Sequence, residues 1–218
     1  MDPSIRGKFL FVQALTLVRV PLIVLVLAIC VSFDHPIPAK WFAAAFGAML
    51  LSVLTDFLDG YFARGLKVMS QLGSHADPLT DKVFYLTAFP TLIYLAARIG
   101  QHTHARVLVV LAVLFLLRDQ WVSFLRSIGA LHSISGKANW SGKARTIISF
   151  PVICVVFYFL EAPARWPLRP PISVVYALEA ASVLINLISI AVYTIRYWPA
   201  LAKEMEGPEP GAPGRSPE

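Results

Sequence analysis

Six long apolar stretches constrain the fold of this chain more than any other feature of its sequence. They cover about residues 10–32, 41–62, 75–98, 105–129, 144–162 and 172–197. A helix needs about 20 apolar residues to cross the hydrocarbon of a bilayer, and each stretch is close to that length. A hydrophobic content of 57% with only 15% charged residues agrees with such a protein. The sequence therefore predicts an all-α, polytopic integral membrane protein with six transmembrane helices.

The basic residues between these stretches predict the side of the membrane that each connection faces. With a cytosolic N-terminus, eleven arginines and lysines lie on the cytosolic side and five lie outside. The positive-inside rule then places both termini, and the connection after the second stretch, in the cytosol. The inner group is Arg6, Lys8, Arg64, Lys67, Arg126, Lys137, Lys143, Arg145, Arg196, Lys203 and Arg215, and the outer group is Lys40, Arg98, Arg106, Arg165 and Arg169.

The composition along the chain predicts one domain followed by a tail. Residues 1–203 hold all six apolar stretches, whereas residues 204–218 are polar and rich in proline and glycine, which is typical of disorder. The net charge of +6 is not arranged as a basic stripe interleaved with aromatic residues, so no nucleic-acid partner is expected. Cys30 and Cys154 both fall inside apolar stretches, where packing residues are expected rather than a disulfide.

Four of the thirteen acidic residues lie close together around the connection after the second stretch. On a helix, residues three or four apart share a face, so Asp56 with Asp59, and Asp77 with Asp81, each present two carboxylates together. Such a cluster is costly without a cation, because the carboxylates repel one another and lose hydration. All-oxygen sites suit magnesium, manganese or calcium, and magnesium is usually shared with substrate phosphates. The spacing therefore predicts a divalent metal site.

The residues between the two aspartate pairs suit a diphosphate substrate. Gly60 and Gly73 allow a close approach of the backbone, and Arg64 and Lys67 can contact phosphate oxygens. Earlier in the chain, polar residues three apart share a face of the first stretch, and Arg19 is the charged one among them. Arg19 either extends to the membrane interface or holds a substrate phosphate.

A second concentration of polar residues lies at the end of the fourth stretch and just after it. Arg118, Val122 and Arg126 share a helical face, with Ser123 adjoining. Arg118 lies too far inside the apolar stretch to be a cytosolic flanking charge, whereas Lys137 fits that description. Basic residues next to a predicted metal site favour a second, anionic substrate. Those that follow the stretch are Lys137, Lys143 and Arg145.

Other polar residues of the apolar stretches receive no chemical role from the sequence. His102 and His104 have the spacing of metal ligands, but they are predicted to lie in a solvated loop on the outer side. Glu179 and Asn186 are seven residues apart and share a helical face, which suits an interface between helices or between two copies of the chain.

The pattern D-x-x-D-G-x-x-A-R-x8-G-x3-D-x3-D, running from Asp56 to Asp81, resembles the signature of the CDP-alcohol phosphotransferase family. The resemblance covers about residues 10–150 and implies transfer of a phosphatidyl group from CDP-diacylglycerol to an alcohol, with release of CMP. It implies two divalent ions, Mg²⁺ or Mn²⁺, bound by Asp56, Asp59 and Asp77. Asp81 would also be a ligand, and would be the base that deprotonates the acceptor hydroxyl. The donor-binding residues implied are Thr16, Arg19, Gly60, Arg64, Ser70 and Gly73.

Within that family, two segments are similar to bacterial phosphatidylglycerolphosphate synthases. One is A-L-T-L-x-R-x-P-L in the first stretch, and the other is R-D-x3-S-x-x-R followed by G-K-x-R-T. The second departs from the pattern at two positions, with Asp119 for Glu and Arg145 for Lys. The implied acceptor is glycerol 3-phosphate, and the implied environment is the bacterial inner membrane, with a homodimer whose active site faces the cytosol. The acceptor-binding residues would be Arg118, Ser123, Arg126, Lys143 and Arg145.

Several alternatives remain open at this point. The same chemistry could use inositol phosphate, or phosphatidylglycerol as in a cardiolipin synthase. Intramembrane prenyltransferases also combine aspartate pairs with magnesium and a diphosphate, but their motifs lack D-G-x-x-A-R. An ion carrier would use intramembrane carboxylates to bind cations, and it would leave the basic residues and the glycines without a function.

Overall fold

Six helices make up the computed structural model, which describes residues 3–65, 71–134, 140–166 and 168–206. Each helix contains most of one predicted apolar stretch, and no strand occurs in these ranges. The prediction of an all-α protein is therefore confirmed for the part of the chain that is described. The predicted disordered tail falls mostly in residues 207–218, which lie outside it. The helices are α1 (Pro3–Ser32), α2 (Ala39–Gly65), α3 (Gln71–Arg98), α4 (His102–Leu131), α5 (Trp140–Glu161) and α6 (Ile172–Met205).

Four of the helices are long and apolar enough to cross a membrane. They are α4, α5, α6 and the segment Gln13–Ser32 of α1. In α2, the described apolar segment Ala39–Thr55 is shorter, and the aspartate motif follows it in the same helix. In α3, the motif occupies the first turns instead. The chain is therefore an integral membrane protein.

The chain forms two compact units. The first unit comprises Met1–Ala112 with Ser149–Ala180, and the second comprises Val113–Ile148 with Ala181–Glu218. Helices α4, α5 and α6 each contribute one part to both units. The aspartate motif belongs to the first unit and the basic stretch belongs to the second.

Aromatic packing holds the helices of the first unit together. Helix α1 packs against both α2 and α3. Phe42 of α2 is stacked on Phe157 of α5 at 5.5 Å between ring centroids, and the edge of Trp166 completes the group at 5.1 Å. Phe84 of α3 lies 4.6 Å from Phe150 of α5. Offset and edge-on ring pairs add to the packing attraction that lipid alone does not replace.

The core of the second unit pairs aliphatic residues of α4 with tyrosines of α6. Val122 and Leu125 are buried against Tyr193 and Tyr197, whose rings are stacked nearly parallel, with an interplanar angle of 5°. Gly129 makes this contact possible, because a Cβ atom at this position would overlap the ring of Tyr197. Small residues that let helices approach closely are typical of helix interfaces in membranes.

A buried ionic network joins three helix ends in the first unit. Nη2 of Arg98, the last residue of α3, donates to Oε1 of Glu161 at 2.7 Å, and Nδ1 of His35 lies 3.1 Å from Oε2. Nη1 of Arg98 also donates to the carbonyls of Cys30 and Phe33 at the end of α1. Those carbonyls form the negative end of the α1 dipole, so the guanidinium neutralises a helix end and a carboxylate together.

The prediction that both histidines of the outer connection lie in a solvated loop is wrong for one of them. Helix α4 begins at His102, which is exposed, but His104 is only 1% exposed. Its Nε2 lies 2.7 Å from Oε1 of Glu179, and its Nδ1 lies 3.2 Å from Oε1 of Gln101. Two residues of separation on a helix turn the side chains to different faces, so one is solvated and the other is packed inside.

The two cysteines are packing residues, as predicted. Cys30 lies in α1 and Cys154 in α5, and both are buried and free of any disulfide. A buried free thiol in an apolar helix behaves as a small hydrophobic side chain.

Candidate active site

Arg118 of α4 is held on three sides within the second unit. Its Nε and Nη2 donate to the hydroxyl oxygen of Ser189 in α6 at 3.0 and 2.6 Å. Its Nη1 donates to Oδ1 of Asp119 at 3.0 Å. All three guanidinium nitrogens are therefore engaged, and the plane of the group is fixed by two helices.

Arg145 of α5 is held in a similar way by the same carboxylate. Its Nη2 donates to Oδ2 of Asp119 at 3.1 Å, and its Nε donates to the amide oxygen of Asn186 at 3.1 Å. The guanidinium also lies over the ring of Phe115 at 4.7 Å. Asp119 thus bridges Arg118 and Arg145, with one carboxylate oxygen for each arginine.

Arg126 joins this group through Tyr193 of α6. Its Nη2 donates to the hydroxyl oxygen of Tyr193 at 3.0 Å, and its Nε is buried without a hydrogen-bond partner among the described residues. The Tyr193 ring lies 5.3 Å from the guanidinium carbon of Arg126 and 5.4 Å from that of Arg118. Cations over a tyrosine face are attracted by the ring, so Tyr193 stabilises both arginines. We call Arg118, Arg126, Arg145 and Asp119 the arginine cluster.

Among the described residues, the arginine cluster combines three cationic side chains with one carboxylate. Arg118 and Arg145 share Asp119, and the side chains of these two arginines are only 8% exposed. Desolvated like charges repel strongly unless an opposite charge or a hydrogen bond compensates them. A phosphate offers the oxygens that guanidinium donors prefer, so an anionic ligand suits the arginine cluster.

The predicted acceptor-binding residues divide into three groups. Three of the five, Arg118, Arg126 and Arg145, meet in the cluster. Ser123 lies exposed on α4. Lys143 belongs to α5, but its side chain lies outside the described residues.

The aspartate motif lies on the end of α2 and the beginning of α3. Positions 56 and 59 share one face of α2, and positions 77 and 81 share one face of α3, as helical spacing predicts. The side chains of the four aspartates and of Arg64 lie outside the described residues, and Ser70 and Lys67 lie outside them entirely. Among the described side chains, no three of His, Cys, Asp or Glu meet as a metal site. Gly60 continues α2, and Gly73 lies in the first turn of α3.

The polar face of α1 is buried in the first unit. Thr16 and Arg19 are each 1% exposed, and Gln13 of the same face is also buried. Of the two interpretations left open by the sequence, extension of Arg19 to the membrane interface does not agree with this burial. A buried guanidinium inside protein agrees with a functional role.

Helix α6 supplies polar residues that the sequence motifs did not reveal. Ser189, Asn186 and Tyr193 all contact the arginines, and each is completely buried. Of these, only Asn186 drew attention in the sequence, and then only as an interface residue. A signal was present: together with Ser182 they form a polar stripe at intervals of four, three and four residues along an apolar helix.

Comparison with known proteins agrees with this arrangement of motifs. The family model described as CDP-alcohol phosphatidyltransferase matches residues 9–195, which extend from α1 into the part of α6 that contacts the arginines. The chain belongs to this family. The resemblance noted from the motif is thereby confirmed, and the matched region includes both the aspartate motif and the arginine cluster.

Individual relatives are 28–31% identical to the chain over the aligned residues. A protein of Mycoplasma genitalium is 31% identical over 116 residues, which is 52% of this chain and 45% of the relative. One of Cereibacter sphaeroides is 31% identical over 131 residues, covering 60% and 55%. One of Haemophilus influenzae is 28% identical over 143 residues, covering 64% and 70%. Each is named CDP-diacylglycerol–glycerol-3-phosphate 3-phosphatidyltransferase. The chain spans about half the length of the first two.

Proposed function

We propose that the protein transfers the phosphatidyl group of CDP-diacylglycerol to glycerol 3-phosphate, giving phosphatidylglycerol phosphate and CMP in phospholipid biosynthesis. The observation that carries this proposal is the arginine cluster, in which Arg118 and Arg145 share Asp119 and Arg126 binds Tyr193. This concentration of buried guanidinium donors supports an acceptor that carries its own phosphate. The names of the relatives from three bacteria point to the same reaction.

The acceptor is proposed from the hydrogen-bond donors of the cluster. The phosphate of glycerol 3-phosphate suits guanidinium donors, and the buried Nε of Arg126 is a donor that the described residues leave without a partner. Inositol phosphate has the same phosphate on a bulkier alcohol, and phosphatidylglycerol carries only a diester with a single charge. We assign acceptor binding to Arg118, Ser123, Arg126, Lys143 and Arg145.

A divalent metal site at the aspartate motif suits the binding of the CDP-diacylglycerol diphosphate. The metal ligands would be carboxylates at helical spacings of three and four residues, and oxygen-only sites of this kind fit Mg²⁺ or Mn²⁺. Asp56, Asp59, Asp77 and Asp81 would hold two such ions, which supply charge neutralisation at the diphosphate when bound. Asp81 would accept the proton of the acceptor hydroxyl, because a carboxylate near the reacting oxygen is a suitable general base.

Binding of CDP-diacylglycerol is assigned to the remaining motif residues. The burial of Arg19 and Thr16 supports a role inside the protein rather than at its surface. Arginine is suited to phosphate oxygens through its two parallel donors. The donor-binding residues proposed are Thr16, Arg19, Gly60, Arg64, Ser70 and Gly73.

The proposed setting is a bacterial inner membrane, with all six helices as spans, both termini cytosolic, and the active site on the cytosolic side. The distribution of arginine and lysine supports the orientation, and four helices of sufficient length and hydropathy support the spans. We propose residues 1–203 as a single domain and a homodimer as the assembly. Cross-linking in intact membranes tests the dimer.

Release of CMP by the purified protein tests the proposed function. CDP-diacylglycerol and Mg²⁺ are supplied with glycerol 3-phosphate, inositol phosphate or phosphatidylglycerol in parallel, and the lipid product is identified by mass spectrometry. We expect turnover with glycerol 3-phosphate and none in excess chelator. If only another acceptor gives a product, the assignment of glycerol 3-phosphate as the acceptor is refuted. If no acceptor leads to release of CMP, the proposed transferase activity is refuted.

Substitution of the aspartates tests their separate roles. Asp59→Asn should weaken metal binding and remove most turnover, and Asp56→Asn should do the same. Asp81→Asn should abolish transfer while donor binding stays largely intact, because the base is needed only when the acceptor is present. Equal loss of CDP-diacylglycerol binding in Asp81→Asn and Asp59→Asn would show that Asp81 is a metal ligand and not the base.

A further inference from the structure

We infer that Ser189 and Asn186 of α6 are positioning residues that set the affinity of the arginine cluster for the acceptor phosphate. Both lie outside the motifs that identify the donor and acceptor sites. Each accepts a hydrogen bond from a different arginine of the cluster, and each is completely buried. The inference rests on the proposed function, since it concerns the same acceptor.

Ser189 fixes one edge of the Arg118 guanidinium. Its single oxygen accepts from both Nε and Nη2, and Nη1 is turned toward Asp119 at the same time. Because Ser189 is 0% exposed, no bulk water replaces its oxygen when the hydroxyl is removed. Without it, Arg118 would regain rotational freedom that ligand binding would then have to remove.

Asn186 fixes Arg145 through a directed amide. Its Oδ1 accepts from Nε of Arg145, while its Nδ2 donates to the carbonyl of Ser182 one turn earlier in α6. The second hydrogen bond selects the orientation in which the amide oxygen, rather than the nitrogen, points at the guanidinium. The two arginines are therefore each held by a neutral acceptor on α6.

Ser189 and Asn186 are uncharged, and this suits a site that binds an anion. A second carboxylate in place of Ser189 or Asn186 would cancel the positive charge that the phosphate requires. A hydroxyl and an amide orient the guanidiniums and leave that charge in place. Asp119 bridges Arg118 and Arg145, and the contacts from α6 fix the orientation of each guanidinium, so both arginines are positioned for one ligand.

Steady-state kinetics separate positioning from a general structural role. Ser189→Ala should raise the KM for glycerol 3-phosphate about three- to tenfold, the effect of one hydrogen bond, while kcat and the KM for CDP-diacylglycerol stay unchanged. Asn186→Ala should act in the same direction. The matched control is Thr194→Val, which removes the hydrogen bond from Trp121 between the same two helices without touching an arginine. Thr194→Val should leave the acceptor KM unchanged.

A double-mutant cycle shows whether Ser189 acts through Arg118. In an Arg118→Ala background, Ser189→Ala should cause no further rise in acceptor KM, because the group that it orients is gone. An equal rise in both backgrounds would overturn the inference. A donor KM that rises as much as the acceptor KM would also overturn it.

A binding measurement keeps this inference separate from the proposed reaction. Inorganic phosphate is titrated by calorimetry into the purified full chain in the absence of donor lipid. Weaker phosphate binding in Ser189→Ala than in Thr194→Val would support the inference, whatever the turnover of the wild type. An absence of wild-type turnover with glycerol 3-phosphate would refute only the proposed reaction. Equal phosphate binding in the two variants would refute the positioning role.

Discussion

The two buried ionic networks of this protein differ in their ratio of arginines to carboxylates. In the first unit, Nη2 of Arg98 pairs with Glu161, and its Nη1 binds backbone carbonyls at the end of α1. In the second unit, Asp119 contacts two of the three arginines of the cluster, and neutral side chains of α6 contact all three. Among the described residues, the first network therefore has one arginine for one glutamate, whereas the second has three arginines for one aspartate.

We expect this difference to distinguish a structural network from a binding site. Burying a charge is costly, so a network that serves only the fold is expected to pair each cation with an anion. A buried group of guanidinium donors with fewer carboxylates is expected where a ligand supplies the oxygens. The Glu161 network should therefore control stability, and the arginine cluster should control acceptor affinity.

The largest expected effect is on the structural network. Glu161→Gln would leave Arg98 buried without its counter-ion, which costs about 3–5 kcal/mol when one partner of a buried pair is removed. Thermal denaturation in detergent should show a large loss of stability, while the acceptor KM of the folded fraction stays unchanged. A rise in acceptor KM without loss of stability would break the distinction between the two networks.

The next effect is on affinity, in the second unit. Arg126→Ala removes a charge-assisted contact of about 1.5–3 kcal/mol, which corresponds to about a ten- to hundredfold rise in acceptor KM. Arg118→Ala should act in the same direction, and the donor KM should barely move in either variant. The matched control is Arg169→Ala, which loses contacts to backbone carbonyls in the first unit and should leave acceptor KM unchanged. If the donor KM rises instead, the arginines belong to the CDP-diacylglycerol site.

A smaller effect concerns the packing that brings α6 to the cluster. Gly129→Ala would force the Tyr197 ring out of its place, and overpacking of this kind costs about 1–3 kcal/mol. The control is Gly47→Ala in the first unit, where nothing lies within 4 Å of the added Cβ. Chemical denaturation should show a loss for Gly129→Ala and none for Gly47→Ala. Equal stabilities would show that α4 and α6 adjust their spacing without cost.

The smallest effect is expected for the exposed ion pair of the second unit. Nε2 of His132 lies 2.9 Å from Oε1 of Glu204, and the two side chains are 27% and 46% exposed. Exposed pairs contribute about 0–1 kcal/mol, so His132→Gln should change stability little and acceptor affinity not at all. The same denaturation and kinetic assays measure both quantities. A loss as large as that of Glu161→Gln would show that burial does not separate the two kinds of pair.

The helices and the family could be predicted from the sequence because both depend on local information. Apolar runs of the length of a bilayer span predict helices regardless of how they pack, and all six appear in the structure. The aspartate motif is equally local, since its eight fixed positions lie between Asp56 and Asp81. A local pattern of this kind identifies the family, as the match over residues 9–195 confirms.

Other features depended on contacts between distant parts of the chain. His104 is predicted in solvent because it lies in an outer connection between apolar stretches, but its partner Glu179 is 75 residues away. Asn186 was interpreted as an interface residue because only α6 itself was considered, although it binds Arg145 at a distance of 41 residues along the chain. A local sequence pattern does not predict contacts between residues that are so far apart along the chain.

The sequence by itself determined six apolar helices, the positions of the carboxylates and arginines along them, and the family. Only the tertiary structure decided which charges are compensated, because compensation depends on which helix faces meet. It placed Glu161 against Arg98, it joined two arginines through Asp119, and it brought Ser189, Asn186 and Tyr193 of α6 to the arginine cluster. In a low dielectric, the energy of a charge is set by its nearest partners, and those partners come from remote segments of the chain.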